Sequence, residues 1–279
     1  IKLGLIGLSA GNGHPYSWSA IINGYNPLFM KDCGFPVISE YLDKQKFPED
    51  SILNAEVTHI WTEDHALSEH IAESSNIKYV VEKITDMIGC VDAVLLARDD
   101  SENHALYALP FLEAGIPIYI DKPLACSIQD AKKLFSYQTY QGQIFTGSAL
   151  KYATELQLSK EKIDEIGNIH FIKAIVPKDW DKYSIHVIDP IVQFPIDKGS
   201  IIWSATDKYG SITNLTIGYS NNIIVSIDTL GEVIAPIKIC VYGDKSHVEL
   251  VFSDTFSAFK AALQAFINND YQLIDKITG

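Results

Sequence analysis

The 279-residue chain is 47% hydrophobic and 20% charged, with 35 acidic against 22 basic residues and a net charge of −13. Those proportions describe a globular protein with a sizeable core and exclude extended disorder. The acidic balance and the lack of a basic run exclude nucleic acid and anionic membrane surfaces as expected partners, leaving room only for a local positive pocket for phosphate.

Residues 1–7 are a short apolar run ending in glycine, as a buried parallel strand does. The apolar start is too short to span a bilayer or to act as a signal peptide. With no initiator methionine, a few residues or a removed leader could precede it. A glycine-rich polar turn over 8–15 and a helix around 18–22 follow, then a strand over 57–61, a helix over 66–74 and a strand over 77–81. Residues 91–97 are the clearest buried strand. The next helix, over 103–114, carries Leu106, Leu109, Phe111 and Leu112 and is closed by Gly115. A strand over 116–120 precedes a helix over 127–135, opened by a Ser-x-x-Asp cap, and 143–147 is strand-like. Strands separated by helices predict a parallel, doubly wound sheet.

The pattern changes after Gly147. Strands are predicted over 167–176, 200–207, 211–220, 223–230, 237–242 and 247–252, with Asn221-Asn222 and Gly243-Asp244 at turn positions and a helix over 256–268. The expected fold is therefore a Rossmann-like α/β domain over 1–125, followed by an α+β domain over 126–279 with a large, open, mostly antiparallel sheet. The helix over 127–135 and the strand over 143–147 are free to pack back on the first domain. The run 223–227 reads as apolar on both faces, which suggests helices on one side and a partner subunit on the other; a solvated face is the alternative. The scattered cysteines Cys33, Cys90, Cys126 and Cys240 read as free thiols of a reducing compartment, with the cytoplasm expected.

Chemistry enters at the first strand–turn–helix, Gly7-Leu8-Ser9-Ala10-Gly11-Asn12-Gly13-His14. A dinucleotide fold holds pyrophosphate there, through glycines and free helix N–H groups. The segment departs from GxGxxG: Ser9 stands where the second glycine belongs, and the loop is lengthened. Gly7, Ser9, Gly11, Asn12, Gly13 and His14 are the candidate cradle, an ordinary glycine-rich turn the alternative. In Thr62-Glu63-Asp64, Asp64 suits a helix N-cap, and Thr62 or Glu63 could meet the adenosine ribose. An acid there disfavours a 2′-phosphate, so NAD is favoured over NADP.

The segment over 91–125, VDAVLLARDDSENHALYALPFLEAGIPIYIDKPLA, resembles the glucose-fructose oxidoreductase / inositol dehydrogenase (Gfo/Idh/MocA) family. Its members carry a VDAVxIAT-type strand, a helix beginning near Asn-x-x-His and ending in EAG, and a strand ending in Glu-Lys-Pro. Here that motif is Asp121-Lys122-Pro123. The resemblance implies that Ala97, Arg98, Asp121 and Lys122 line the cofactor and that Lys122 also reaches the substrate hydroxyl. A lysine at the carboxyl end of a parallel strand points into the ligand crevice, as that role requires. The likeness continues in the segment from Gly147 to Tyr152, where Lys151 takes the place of an arginine, in Ile166-Gly167-Asn168-Ile169, and in Val241-Tyr242-Gly243. Against the family, a short C-terminus is expected, lacking an ending helix or strand.

The family's Asp-x-Gly-x-His signature corresponds to Lys182-Tyr183-Ser184-Ile185-His186. By resemblance His186 is the acid/base. Lys182 stands at the assisting aspartate's position and Ser184 at the glycine, closer to a Tyr-Gly-Ile-His form, and Tyr183 joins the catalytic candidates. His186 and Asp189 share a helix face, and no third ligand is near, so no metal is expected. A structural core histidine is the alternative reading of His186. Lys151, Tyr152, Lys182, Tyr183 and Asp189 complete the substrate candidates with Lys122 and His186. Trp180, Tyr183 and Tyr152 could stack on a sugar or simply pack. His14 and His104 could line the cleft or serve as turn and helix-start residues.

These features imply an NAD(P)-dependent oxidoreductase acting on a hydroxyl-bearing carbon of a sugar, cyclitol or nucleotide-sugar, assembled as a homo-dimer or tetramer through the C-terminal sheet. The rival is a non-catalytic dinucleotide- or sugar-binding sensor or scaffold of the same fold. A weaker rival is a hydrolase or lyase that uses bound NAD through transient oxidation.

Overall fold

The computed structural model describes residues 1–268. The part of the 126–279 domain beyond Asn268, with its expected short ending, lies outside the described residues. Two compact units are present. One takes Ile1–Gly147 together with the helix from Phe259; the other takes Ser148–Ala258.

The first unit contains β1 (Lys2–Ile6), α1 (His14–Asn23), α2 (Pro27–Met30), α3 (Pro36–Leu42), β2 (Glu56–Trp61), α4 (His65–Ser74), β3 (Tyr79–Val80), β4 (Ala93–Leu96), α5 (His104–Glu113), β5 (Ile118–Ile120), α6 (Ile128–Ser136) and β6 (Ile144–Phe145). Its six strands run parallel in the order β3-β2-β1-β4-β5-β6. Leu3, Leu5, Ile6, Val94, Leu95 and Leu96 are all fully buried. Both sheet faces are covered, which is why these strands read as continuous apolar runs rather than alternating ones. Because β6 pairs with β5, the unit extends past position 125 to Gly147. The helices α2 and α3 fall in the stretch 24–55, for which the sequence reading offered no element. Each carries proline in its first turn, and Asn26 caps α2, accepting from Leu28 N–H. Asp64 and Ser127 cap α4 and α6 as expected. In α5, Tyr107, Ala108, Phe111 and Leu112 are buried, whereas Leu106 faces out.

The second unit contains α7 (Lys160–Ile166), β7 (Ile169–Val176), α8 (Trp180–Tyr183), α9 (Ile185–Gln193), β8 (Ile201–Tyr209), β9 (Ile212–Tyr219), β10 (Ile224–Thr229), β11 (Lys238–Gly243) and β12 (His247–Val251). The last helix, α10 (Thr255–Ile267), starts in this unit and continues in the first. The sheet order is β12-β11-β7-β10-β9-β8, antiparallel except for the β7–β10 pair. One face buries Ile172, Ala174 and Val176 of β7, Val225 and Ile227 of β10, and Ile239 and Val241 of β11 in a core with Val187 and Ile191 of α9.

The reading of 223–227 as apolar on both faces is corrected here. Side chains alternate along a strand, and Ser226 and Asp228 fall on the opposite face. There Lys173 Nζ lies 2.5 Å from Asp228 Oδ2 and donates to Ser226 Oγ at 3.0 Å, while Asn214 Nδ2 donates to Asp228 Oδ1 at 2.5 Å. Among the described residues, no helix is long and apolar enough to cross a membrane.

Candidate active site

In the first unit, β1 lies between β2 and β4, so the strand order reverses where these strands end, the place at which open α/β sheets bind ligands. The turn that follows β1 is built around its glycines. A Cβ on Gly7 would lie 2.3 Å from Pro15 Cγ, and one on Gly13 would lie 2.7 Å from Ile38 Cδ1 and 2.8 Å from Phe35 Cγ. Only Gly11, at φ +80°, faces open space.

The polar residues of the loop tie it to the neighbouring strand ends. Ser9 Oγ donates to Asp99 Oδ1 at 2.7 Å and accepts from Asp99 N–H at 3.0 Å. Asn12 Nδ2 donates to Asp121 Oδ2 at 2.8 Å, and its Oδ1 accepts from His14 N–H at 2.8 Å. His14 Nδ1 meets Asp121 Oδ2 at 2.5 Å, and its ring lies between Trp18 and Phe259. Because His14 N–H is occupied and Pro15 has none, the N-terminus of α1 offers an anion fewer donors than an open helix would.

Asp121 follows β5 and is buried. Burial pushes its carboxyl up, but the charges of His14 and Lys122 and the hydrogen bonds from His14 and Asn12 outweigh it and hold the group at about 2. Asp121 Oδ1 also accepts from Lys122 N–H at 2.8 Å. Lys122 is itself buried, at the carboxyl end of a parallel strand.

On the β2 side, Thr62 is buried, and its hydroxyl donates to the Asp64 carbonyl at 2.6 Å with Ser68 Oγ at 2.8 Å. Glu63 is half-exposed. It accepts from Tyr107 OH at 2.6 Å and lies 3.5 Å from Arg98 Nη1. Burial, then the Glu63 carboxylate, raise the Tyr107 phenol to about 12. Arg98 is buried, donates twice to Asp100 at 2.8 and 2.6 Å, and stacks on the Tyr107 ring. Ala97 is fully buried, its N–H on Ile6 O at 2.8 Å. The His104 ring bridges the carbonyls of Arg98 and Leu124 at 2.9 and 3.0 Å and is fully buried, a structural role.

In the second unit, His186 and Asp189 lie on one face of α9, as their spacing predicts. The segment ahead of a short 3-10 turn at Ala149–Tyr152 reaches both: Ser148 Oγ lies 2.7 Å from His186 Nδ1, and Ser148 N–H donates to Asp189 Oδ2 at 2.6 Å. Lys151 is buried near Asp189. Burial lowers the Lys151 ammonium and raises the Asp189 carboxyl, and each charge partly offsets the shift of the other. The Tyr183 ring stands edge-on to His186 at 5.2 Å, and Tyr183 OH accepts from Lys178 Nζ. Tyr152 lies by the Lys151 ammonium, 5.4 Å from its ring centroid. Lys182 sits on α8, its N–H on Asp179 Oδ1 at 2.9 Å.

The structure thus brings together Ser9, Asn12, His14 and Asp121 with the added Asp99, and Glu63 with Arg98 and the added Tyr107 and Asp100. In the second unit it groups Lys151, His186 and Asp189 around Ser148, which the sequence reading had not singled out. Its Ser-x-Leu turn capping was the one local signal, since its partner lies 38 positions away.

Residues 37–147 match the model of the Gfo/Idh/MocA family, described as an oxidoreductase family with an NAD-binding Rossmann fold. The altered glycine loop lies ahead of this segment. No curated protein matches the chain. Among solved structures, the chain is similar to scyllo-inositol dehydrogenase from Lactobacillus casei, with 16% identity, TM-score 0.70, and coverage of 98% of this chain and 88% of that one. It is also similar to myo-inositol 2-dehydrogenase from Lactobacillus plantarum, at 14% identity and TM-score 0.70 over 96% of this chain and 88% of that one. UDP-N-acetylglucosamine 3-dehydrogenase from Acidithiobacillus ferrooxidans follows at 12% identity and TM-score 0.64, over 98% and 89%. At these identities the likeness shows a shared fold over nearly the whole chain.

A dinucleotide suits the groups present in the family segment and the loop before it. The strand order reverses beside β1, Gly11 leaves open space in the turn, and the half-exposed Glu63 carboxylate is oriented by Tyr107 at the end of β2.

Proposed function

We propose that the protein is an NAD(P)-dependent oxidoreductase that transfers a hydride to or from a hydroxyl-bearing carbon of a sugar, cyclitol or nucleotide-sugar. The observation that carries this reading is Lys122, buried at the carboxyl end of β5 with its peptide N–H fixed on Asp121. The comparisons support it, since a structure of the Lactobacillus casei scyllo-inositol dehydrogenase carries bound NAD(H) and scyllo-inositol, at 16% identity to this chain.

The turn Gly7–Gly13 with Ser9, Asn12 and His14 holds the pyrophosphate, and Ala97 and Arg98 flank it. Glu63 accepts from the ribose hydroxyls and repels a 2′-phosphate, so the cofactor is NAD rather than NADP. Thr62 supports Glu63 from within the strand. When bound, the nicotinamide supplies or takes the hydride. Lys122 polarises the substrate oxygen, and His186, flanked by Tyr183 and by the Lys151–Asp189 pair, handles its hydroxyl hydrogen bond and proton. Tyr152 and Lys182 bind the remaining hydroxyls. The chain assembles as a homo-oligomer through the second sheet, whose edge strand β8 leaves Ile201, Ile202 and Trp203 exposed. The four unpaired cysteines suit a reducing cytoplasm.

The test is a panel of cyclitols, sugars and nucleotide-sugars scanned at the reduced-cofactor absorbance band with NAD and with NADP. Turnover should fall at least about 100-fold in Lys122→Ala and in His186→Ala. Dinucleotide binding without turnover on any panel member, unchanged in Lys122→Ala, would leave a sensor or scaffold as the function.

A further inference from the structure

We propose that Asn12 is a positioning residue for Lys122: its side-chain amide ties the dinucleotide turn to Asp121 and so fixes the peptide on which the lysine stands. The placing of the lysine rests on contacts within the first unit alone; its effect on turnover rests on the oxidoreductase reading.

The turn Gly7–Gly13 and the first residue of α1 reach the end of β5 through one carboxylate. Asp121 Oδ2 accepts from Asn12 Nδ2 at 2.8 Å and meets His14 Nδ1 at 2.5 Å, while Asp121 Oδ1 accepts from Lys122 N–H at 2.8 Å. Asn12 uses its other end on α1, where its Oδ1 accepts from His14 N–H at 2.8 Å. Its own N–H donates to Ser9 O at 3.1 Å. The two partners of the amide dictate which way it points. An ionised carboxylate can only accept and a peptide N–H can only donate, so Nδ2 must face Asp121 and Oδ1 must face His14. By the same reasoning Nδ1 carries the proton of the His14 contact. Asn12 and Asp121 are both buried, so neither can exchange these bonds for water. Cutting one leaves a buried polar group without compensation.

This geometry divides the labour of the turn. A side chain placed to grip pyrophosphate would present its donor to the ligand, on the open side where Gly11 leaves space. Asn12 instead commits Nδ2 to a carboxylate, a group that repels phosphate. The backbone of the turn is thus left to the dinucleotide, and the Asn12 side chain serves the strand end. Lys122 is buried as well, so a displaced peptide carries its ammonium with it rather than being absorbed by a free side chain. A misplacement of about 1 Å in such a group is enough to cost about 100-fold in rate.

The test compares the full wild-type chain with Asn12→Leu, Asn12→Asp and the exchange Asn12→Asp/Asp121→Asn. Asn12→Leu removes the strap at similar size, and Asn12→Asp sets two carboxylates face to face. The exchange restores an amide against a carboxylate. Trinitrobenzenesulfonate labelling of each lysine is followed by peptide mass spectrometry, and dinucleotide affinity by fluorescence titration with NAD. Labelling of Lys122 should quicken about threefold or more in both single variants, with the other lysines unchanged, and return toward the wild-type rate in the exchange. NAD affinity in Asn12→Leu should stay within about twofold of the wild type while kcat falls about tenfold or more. A tenfold loss of NAD affinity with Lys122 labelling unchanged would overturn the proposal and give Asn12 to the pyrophosphate. A uniform rise at every lysine overturns it too, since it marks a loosened fold. Should Asn12→Leu fail to fold, Asn12→Asp against the exchange decides: equal labelling of Lys122 in the two sinks the proposal. A wild type that labels as expected, binds NAD and turns over no panel member counts against the oxidoreductase reading alone.

Discussion

His14 Nδ1 stands 2.5 Å from Asp121 Oδ2 although the two residues lie 107 positions apart. The contact joins the first residue of α1 to the end of β5 and keeps a buried carboxylate ionised. The Asp121 carboxyl, ordinarily near 3.8, is held at about 2 in the fold. A depressed carboxyl stabilises the native state above its unfolded value, and that contribution fades as pH falls from 3.8 toward 2. Asp121→Asn should therefore cost at least about 2 kcal/mol at neutral pH and flatten the acid limb of the stability curve. Denaturant titrations across that range decide it; a variant that tracks the wild type throughout would refute the assignment.

Glu63 is placed by Tyr107 and Arg98 rather than by the backbone alone. In Glu63→Gln, loss of a charge-assisted hydrogen bond should weaken NAD about tenfold, and removal of the negative charge should narrow the preference over NADP. Fluorescence titration with both dinucleotides checks this. Equal losses for the two would mean that the carboxylate does not meet the ribose.

Lys151 and Asp189 are both buried and mutually compensating. Asp189→Ala removes the charge that offsets the burial of the ammonium and the acceptor of the Ser148 amide, and should destabilise by about 3 kcal/mol. Lys151→Met should cost less, and the double variant should fall short of the sum by about 1 kcal/mol or more. Strict additivity in urea melts would show that the two charges do not interact.

Gly13 has an ordinary φ and is needed for space, since an added Cβ would press on Ile38 and Phe35 of the α3 region. Gly13→Ala should cost about 1–3 kcal/mol through overpacking. A thermal melt unchanged by the substitution would show that α3 yields freely.

Much of the fold is legible because buried parallel strands cannot hide their composition: 91–97 is apolar almost throughout, and β4 is covered on both faces. The change after Gly147 from strand–helix alternation to longer, turn-separated strands likewise announces the second sheet. His186 and Asp189 are visible as a pair at helical spacing. What the sequence leaves obscure are partnerships across long separations. Nothing local to Asn12 points to Asp121, 109 positions on, and nothing local to Ser148 points to His186. The helices α2 and α3 are too short to show a period, leaving only their prolines as signals. The run 223–227 reads as apolar on both faces because the polar partners of Ser226 and Asp228, Lys173 and Asn214, lie on other strands.

The lone parallel pair of the second sheet carries a consequence for how that unit comes together. Lys173 on β7 and Ser226 on β10 are neighbours although 53 positions separate them, whereas β9 and β10 close as a tight hairpin. During synthesis β7 waits with both edges bare while α8, α9, β8 and β9 emerge, and it is sealed only when β10 and then β11 arrive. A ribosome that pauses before position 224 would expose an apolar, unpaired central strand, and that interval is where a chaperone would matter most for this protein.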